Sequence, residues 1–224
     1  MEFKMKQIAP TPFTRRHLLK GLGCLGVASL IAPNAAAASF TAEDRDLLQK
    51  ISGYFNSIRT MNGDFLQVGP SGNQTEGKFF MERPGKIRFH YLKPSTIDII
   101  ADGDSLVIKD RKLQTLDLYP LSQTPLKFLL ADQVDLSRDK KVLQVLKDTD
   151  IIQIMMHEES LFGEGRITLL FDTAEFALRQ WTITDAQGLN TSVALYNVET
   201  GRPQNPKLFE IDYLANARQH RKDR

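Results

Sequence analysis

The sequence predicts an α+β fold that is mainly antiparallel β, with one curved sheet and helices against its concave side. Three observations lead to this prediction. After residue 60 the chain divides into many short strand-like runs separated by tight turns, such as RPGK at 83–86 and ADGD at 101–104. Only two segments carry helix signals. The 13 Phe, five Tyr and one Trp supply enough apolar material for one large core.

The first 38 residues have the pattern of an export signal. A basic stretch that contains the arginine pair of TRRHLLK precedes the short apolar run GLGCLGVASLIA, and three alanines form an A-x-A cleavage site before Ser39. The paired arginines resemble the twin-arginine type. We therefore predict a cleavable twin-arginine-type signal over 1–38, one domain over 39–224 and a periplasmic location. An uncleaved membrane anchor is the alternative.

Two motifs in this signal segment suggest other functions. GLGCLG at 21–26 has the G-x-G-x-x-G spacing of dinucleotide-binding turns, but a polar, proline-containing stretch precedes it where such a turn needs a strand. Cys24, the only cysteine, raises the alternative of lipid attachment, although Gly21 stands where an aliphatic residue is usual. We predict no cofactor, and cleavage after Ala38 would leave a domain without disulfides.

The charge balance argues against nucleic-acid binding. Residues 1–38 hold five of the 29 basic side chains and one of the 27 acidic ones, so the remainder carries 24 basic and 26 acidic groups, a formal charge of −2. No basic stripe with interleaved aromatic residues occurs in the sequence. We expect a monomer that does not bind nucleic acid.

An amphipathic helix is predicted to open the domain. Thr41 can cap it, and Glu43 and Asp44 in the first turn favour the helix dipole. Gly63 lies just beyond the expected end. Apolar residues recur at helical spacing at Leu47, Leu48, Ile51, Tyr54, Phe55 and Ile58.

Strand-like segments follow this helix and are expected to pair in sequence order as one antiparallel meander. A closed small barrel would fill itself with side chains, whereas a wide, incomplete one would hold a cavity. The predicted strands are 63–69, 74–83, 86–92, 95–101, 104–110, 112–118, 141–148, 150–157, 165–172, 177–185, 190–199 and 207–213.

Arg83 is unusual for its position in this pattern. Strand alternation places it on the same face as Phe79 and Met81, just before the turn RPGK. A guanidinium that points into the hollow needs acceptors, because an unpaired buried charge is costly. Backbone carbonyls at the end of a covering helix are candidates. The alternative is an arginine at a strand end that turns to solvent.

The sheet is interrupted by LYPLSQTPLKFLLADQ, which predicts a second, short helix. Pro125 suits a first helical position, and Ser122 or Thr124 can cap it. The cluster that follows is too apolar to lie free in water. We expect this helix to cover an opening in the sheet with Leu126, Phe128, Leu129 and Leu130.

The stretch EGKFFMERPGKIRFHYLKPSTIDIIADGDSLVIKD resembles the core signature of the periplasmic outer-membrane lipoprotein carrier family (LolA-type). The opening helix with the first strand, and TPLKFLL as a lid, are also similar to that family, and the likeness covers nearly all of 40–213. Phe89 stands where the family often has Trp. The matching positions are Gly77, Arg83, Pro84, Phe89, Tyr91, Pro94, Asp102 and Gly103.

This resemblance implies an unclosed half-barrel in which helices cover an apolar cavity for the acyl chains of lipoproteins. It also implies that Arg83 holds the lid by hydrogen bonds. Each cavity residue expected here could equally be ordinary core. The expected lining residues are Phe79, Met81, Ile87, Phe89, Ile99 and Leu106, with Leu126, Leu129 and Leu130 from the lid helix.

The free energy that holds acyl chains in a membrane indicates which partners a carrier would need. At about 0.8 kcal/mol per buried CH₂, one sixteen-carbon chain is worth about 12 kcal/mol and three about 36. Noncovalent affinity rarely exceeds about 20 kcal/mol, so a soluble carrier cannot extract a lipoprotein unaided. We therefore expect an ATP-driven release transporter at the inner membrane and, downhill, an acceptor at the outer membrane.

Two other function classes are weighed. An enzyme would have to use His90, His157 or His220, or the acids Asp98, Asp102 and Asp104, but no H-E-x-x-H, G-x-S-x-G or Cys/His arrangement occurs. We predict no catalytic residues and no metal. A periplasmic sensor of lipoproteins or lipid that regulates envelope stress is the alternative that uses the same half-barrel.

Overall fold

The computed structural model describes residues 40–161 and 163–214, so the predicted signal segment lies outside the described residues. Helix α1 (Ala42–Ser57) opens the described part, and a short helix α2 (Leu126–Leu129) lies between two groups of strands. The strands are β1 Thr60–Val68, β2 Gln74–Glu82, β3 Lys86–Tyr91, β4 Ile97–Asp102, β5 Ser105–Asp110, β6 Thr115–Pro120, β7 Val142–Lys147, β8 Ile151–Ser160, β9 Gly163–Asp172, β10 Leu178–Thr184 and β11 Asn190–Thr200.

All eleven strands form one antiparallel sheet in the order β6-β5-β4-β3-β2-β1-β11-β10-β9-β8-β7. The predicted class, mainly antiparallel β and unclosed, is confirmed. The expected single meander needs a correction, because only β1–β6 and β7–β11 meander. The first and last strands pair at the centre, where Phe65 lies opposite Leu195. The two ends of the sheet are therefore β6 and β7, which are consecutive in the chain.

The chain between β6 and β7 crosses from one end of the sheet to the other. Its first part, residues 121–132, is called the lid segment below. The one predicted helix is here two pieces, a 3₁₀ turn at Leu121–Gln123 and α2, separated where Thr124 Oγ1 donates to the Leu121 carbonyl (2.9 Å). The leucines of the lid segment nevertheless pack into the core, with Leu129 3 % and Leu130 2 % exposed.

Helix α1 packs its apolar face into the same core. Thr41 Oγ1 accepts from the Asp44 amide at 3.1 Å, and Asp44 Oδ2 accepts from the Thr41 amide at 2.9 Å, which makes a capping box. Leu48 and Ile51 are fully buried in one cluster with the inward-facing residues of the sheet. The helix thus fills one part of the concave side.

The predicted strand at 207–213 is wrong. Pro206–Phe209 forms a 3₁₀ turn, and the Lys207 amide donates to Asn205 Oδ1 at 3.1 Å. The prolines of GRPQNP disfavour a strand because proline cannot donate to the ladder. The turn packs against β3 and β4, and Phe209 and the outward-facing Ile100 of β4 are both buried. This segment therefore covers part of the outer face of the sheet.

Candidate functional site

A cavity of about 370 Å³ lies inside the half-barrel, toward the ends of β3, β8 and β10. Both halves of the sheet and the lid segment contribute to its wall. Polar groups lie among the apolar ones, including Glu158 and Gln67, whose Oε1 accepts from Tyr91 Oη at 2.6 Å. Burial raises the pKa of Tyr91 to about 12, so the phenol is neutral. The apolar lining consists of Phe89, Tyr91, Ile99, Ile108, Pro125, Leu126, Trp181, Ile183 and Val193.

The sequence-predicted lining residues divide into two groups. Phe89, Ile99 and Leu126 border this cavity. The others are core residues that do not appear in its wall: four lie toward the opposite end of their strands, and Leu129 and Leu130 of the lid segment pack into the same core cluster. Alternation along a strand gives the face of a residue but not its depth in the barrel. The core residues are Phe79, Met81, Ile87, Leu106, Leu129 and Leu130.

The second half of the sheet supplies lining residues that were not predicted. Trp181 of β10 is 4 % exposed, and its ring centroid lies 6.0 Å from that of Phe89. Ile183 continues the same face, and Val193 of β11 pairs with Trp181. Alternation in QWTIT would have placed Trp181 and Ile183 on one face, but the choice of face depends on pairing with β11.

Arg83 lies at the end of β2, only 5 % exposed, and points inward. Its Nε donates to the Ala131 carbonyl of the lid segment at 2.8 Å, Nη2 donates to the same oxygen, and Nη1 donates to the Phe55 carbonyl of α1. The guanidinium carbon also lies 4.5 Å from the centroid of the Phe55 ring. One side chain therefore bridges the C-terminal turn of α1 and the end of the lid segment.

The surroundings of Arg83 set its charge state. Burial, with a smaller contribution from Arg59, lowers the pKa of Arg83 to about 10. The guanidinium therefore stays protonated at neutral pH and keeps its donors. The turn that follows adds a backbone contact, since the Gly85 amide donates to the Leu130 carbonyl at 2.9 Å. Gly85 has φ +80°, a conformation that glycine adopts readily.

Two residues of the enzyme alternative, His90 and Asp98, belong to a charge cluster on the outer face of β3 and β4. Asp98 is 3 % exposed, with Oδ1 2.6 Å from His90 Nδ1 and 3.0 Å from Arg111 Nη1, and with Oδ2 3.4 Å from Arg88 Nη2. Arg111 also donates to the Tyr91 carbonyl at 2.9 Å. The cations neutralise the carboxylate and fix the turn between the two strands.

Asp102, another acid of that alternative, has structural partners. Asp102 Oδ1 accepts from the Asp104 and Ser105 amides, and its Oδ2 accepts from Tyr213 Oη at 2.6 Å. His157 lies on β8 opposite Arg166, and His220 is outside the described residues. In the described part of the chain, no group of three or more His, Cys, Asp or Glu side chains could hold a metal ion. No helix among those residues is long and apolar enough to cross a bilayer.

The fold and site define a class: an unclosed antiparallel half-barrel whose lid segment and first helix cover an apolar cavity. The family model for the outer membrane lipoprotein carrier protein LolA matches residues 56–212, so the chain belongs to the LolA family. The predicted resemblance to this family is thereby confirmed.

Individual relatives are distant. The outer-membrane lipoprotein carrier protein of Methylococcus capsulatus is 26 % identical over 171 residues, covering 72 % of this chain and 81 % of that protein. The one from Methylobacillus flagellatus is 29 % identical over 180 residues, with 75 % and 83 % covered. Among solved structures, an uncharacterized conserved protein from Thermus thermophilus matches with TM-score 0.49 and 10 % identity, over 77 % of this chain and 96 % of that one.

Proposed function

We propose that this chain is a periplasmic carrier that binds the acyl chains of lipoproteins in its cavity and moves them from the inner to the outer membrane. The observation that carries the proposal is an apolar cavity whose wall includes Pro125 and Leu126 of the lid segment. Family membership supports the same role, and carriers of this family are not enzymes. We propose that this chain likewise has no catalytic activity.

The size of the cavity indicates that carrying requires the lid segment to move. A water molecule occupies about 30 Å³, so 370 Å³ corresponds to roughly a dozen atoms of that size. Three sixteen-carbon chains need several times more room. The structure described here is in this proposal the closed form, and cargo enters when the lid segment and α1 separate from the sheet.

Arg83 is the proposed holder of the lid segment. Its three donors meet carbonyl oxygens of Ala131 and Phe55, which belong to the two elements that have to separate. Opening breaks these hydrogen bonds and exposes the guanidinium to water. New hydrogen bonds to water then offset part of the free energy that is lost. The hydrogen bonds themselves therefore add only a modest net cost to opening, beside the cost of exposing the buried lid leucines.

The energetics of transfer require partners on both sides. Burying three acyl chains is worth about 36 kcal/mol in a membrane. No cavity of this kind matches that value, since noncovalent affinity rarely exceeds about 20 kcal/mol. We propose that an inner-membrane ATP-driven release transporter loads the carrier, and that an outer-membrane acceptor or the bilayer itself receives the cargo.

Mass spectrometry of material that co-purifies with the chain from periplasm tests this proposal. We expect N-terminally acylated lipoproteins in excess over other periplasmic proteins. A chain with its cavity blocked should lose them. Recovery of the chain with a membrane-protein partner and no acylated protein would instead favour the sensor function.

A further inference from the structure

Strand β8 carries one charged residue on its inward face. Ile152, Ile154 and Met156 are 0 %, 0 % and 1 % exposed, and by alternation Glu158 continues the same face at 4 % exposed. Its side chain lies at the wall of the cavity. An ionised carboxylate in that position needs a partner, because burying an unpaired charge is costly.

The partner comes from the lid segment. Lys127 Nζ of α2 lies 2.9 Å from Glu158 Oε1, in an orientation outside hydrogen-bond geometry, and donates to the Glu159 carbonyl at 2.5 Å. The Lys127 side chain is 27 % exposed, so water screens this ion pair only in part. A backbone contact lies beside it, since the Leu161 amide donates to the Gln123 carbonyl at 2.8 Å.

This contact and the Arg83 contact lie on different halves of the sheet. Arg83 directly follows β2, in the β1–β6 half, and meets the end of the lid segment at Ala131. Glu158 is on β8, next to the edge strand β7, and meets the middle of the lid segment at Lys127. The lid segment is therefore fixed to both halves of an unclosed sheet.

We propose that Glu158 and Lys127 form a second latch of the lid segment, independent of Arg83. Lys127 acts as a positioning residue: its ammonium holds α2 against β8 and neutralises the carboxylate at the cavity wall. Opening on the β8 side leaves Glu158 unpaired beside the apolar lining, so the pair favours closure. The purpose of opening rests on the proposed carrier function, but the latch is a property of the free protein.

The test measures lid opening without any lipoprotein. Trp181 is the only tryptophan and lines the cavity, so quenching of its fluorescence by acrylamide reports access. Hydrogen exchange of the amides at 121–132 reports opening of the lid segment directly. We expect Glu158→Gln and Lys127→Met each to raise both signals, with lid-segment exchange faster by roughly tenfold, the usual effect of losing one charge-assisted contact.

The controls separate a latch from general damage. Glu159→Gln removes an exposed neighbouring carboxylate whose side chain does not meet Lys127, and should leave both signals unchanged. The charge-reversed pair Lys127→Glu with Glu158→Lys should return exchange toward the wild-type rate. Exchange in Glu158→Gln and Lys127→Met equal to that of wild type would overturn the latch, as would a reversed pair no better than its two single changes. A failure of lipoprotein delivery alone would overturn the carrier proposal and leave the latch standing.

Discussion

Arg83 Nε donates to the carbonyl oxygen of Ala131 across a sequence separation of 48 residues, at 2.8 Å. This bond joins a strand that ends at a tight turn to the last part of the lid segment. Because Nη1 of the same side chain meets the Phe55 carbonyl, one guanidinium fixes the lid segment and α1 together. We propose that this contact helps to hold the lid segment closed over the cavity.

Replacing Arg83 by leucine should open the cavity. The change leaves the Ala131 and Phe55 carbonyls without their donors, which should cost about 3 kcal/mol in unfolding free energy. We expect stronger acrylamide quenching of Trp181, and in cells lipoproteins that stay on the carrier or in the inner membrane.

Lys86→Leu is the matched control, since it removes a cation of the next strand that forms a half-exposed ion pair with Glu82. It should leave quenching and delivery unchanged. Normal outer-membrane delivery by Arg83→Leu would count against the role of Arg83.

Filling the cavity should block acyl binding without unfolding the protein. Ile183→Trp adds volume at the cavity wall, where strain should stay within about 1–3 kcal/mol because empty space is available. We expect the affinity for a fluorescent fatty-acyl probe, measured by polarisation, to fall at least tenfold. Leu118→Trp on β6, where the leucine is 40 % exposed, is the control and should bind as wild type does. Equal affinities for the two variants would show that the probe binds elsewhere.

Gly77 of β2 should not tolerate a side chain. A Cβ there would lie 2.4 Å from the His90 carbonyl oxygen and 2.5 Å from the Phe65 ring. Gly77→Ala should lower the free energy of unfolding in urea by about 3 kcal/mol, through strain in the sheet under the aromatic core. Gly53→Ala in α1, where nothing lies within 4 Å, should instead stabilise by about 0.5–1 kcal/mol. Similar losses in both variants would contradict this account.

The cap of α1 should make stability depend on pH in the acid range. Hydrogen bonds from the Thr41 side chain and amide lower the pKa of Asp44 below its usual 3.8. A lowered pKa in the folded state means that this carboxylate stabilises above pH 3.8, and that the contribution is lost as the pH falls through the folded-state pKa.

Asp44→Asn should therefore cost about 0.5 kcal/mol at pH 7, a small value because the site is exposed, and less near pH 2. Asp46→Asn, which removes only a surface pair with Lys50, is the control. Urea unfolding at both pH values measures the difference. A loss for Asp44→Asn that is the same at both pH values would contradict the cap assignment.

The sequence predicted the elements better than their arrangement. Alternation with period two located eleven strands and put Arg83 on the inward face, because both depend on local residues alone. Pairing of β1 with β11 is a long-range contact without a local signal, so the break between β6 and β7 was missed. The strand predicted at 207–213 is wrong because its apolar residues suggested a strand, whereas the prolines just before it favour a turn.

The site was predicted in part for a related reason. The alternation of side chains along each strand identified the inward face of the sheet, and Phe89 and Ile99 of that face do border the cavity. Which end of a strand borders the cavity depends instead on where α1 and the lid segment pack. Glu158 was available to the same argument, since it follows Ile154 and Met156 at spacing two, in the place that Arg83 has on β2. A charge at the end of an inward apolar row is therefore a useful signal for a contact with the lid segment.

Site-specific photo-crosslinking tests most directly whether acyl chains occupy the cavity. A photoreactive residue is placed at Ile99, which borders the cavity, or at Leu118, which lies on the outer face, in cells fed a tagged fatty acid. The carrier proposal predicts tagged lipoprotein crosslinked at position 99 and little or none at position 118. No tagged adduct at position 99, or equal adducts at both positions, would contradict it.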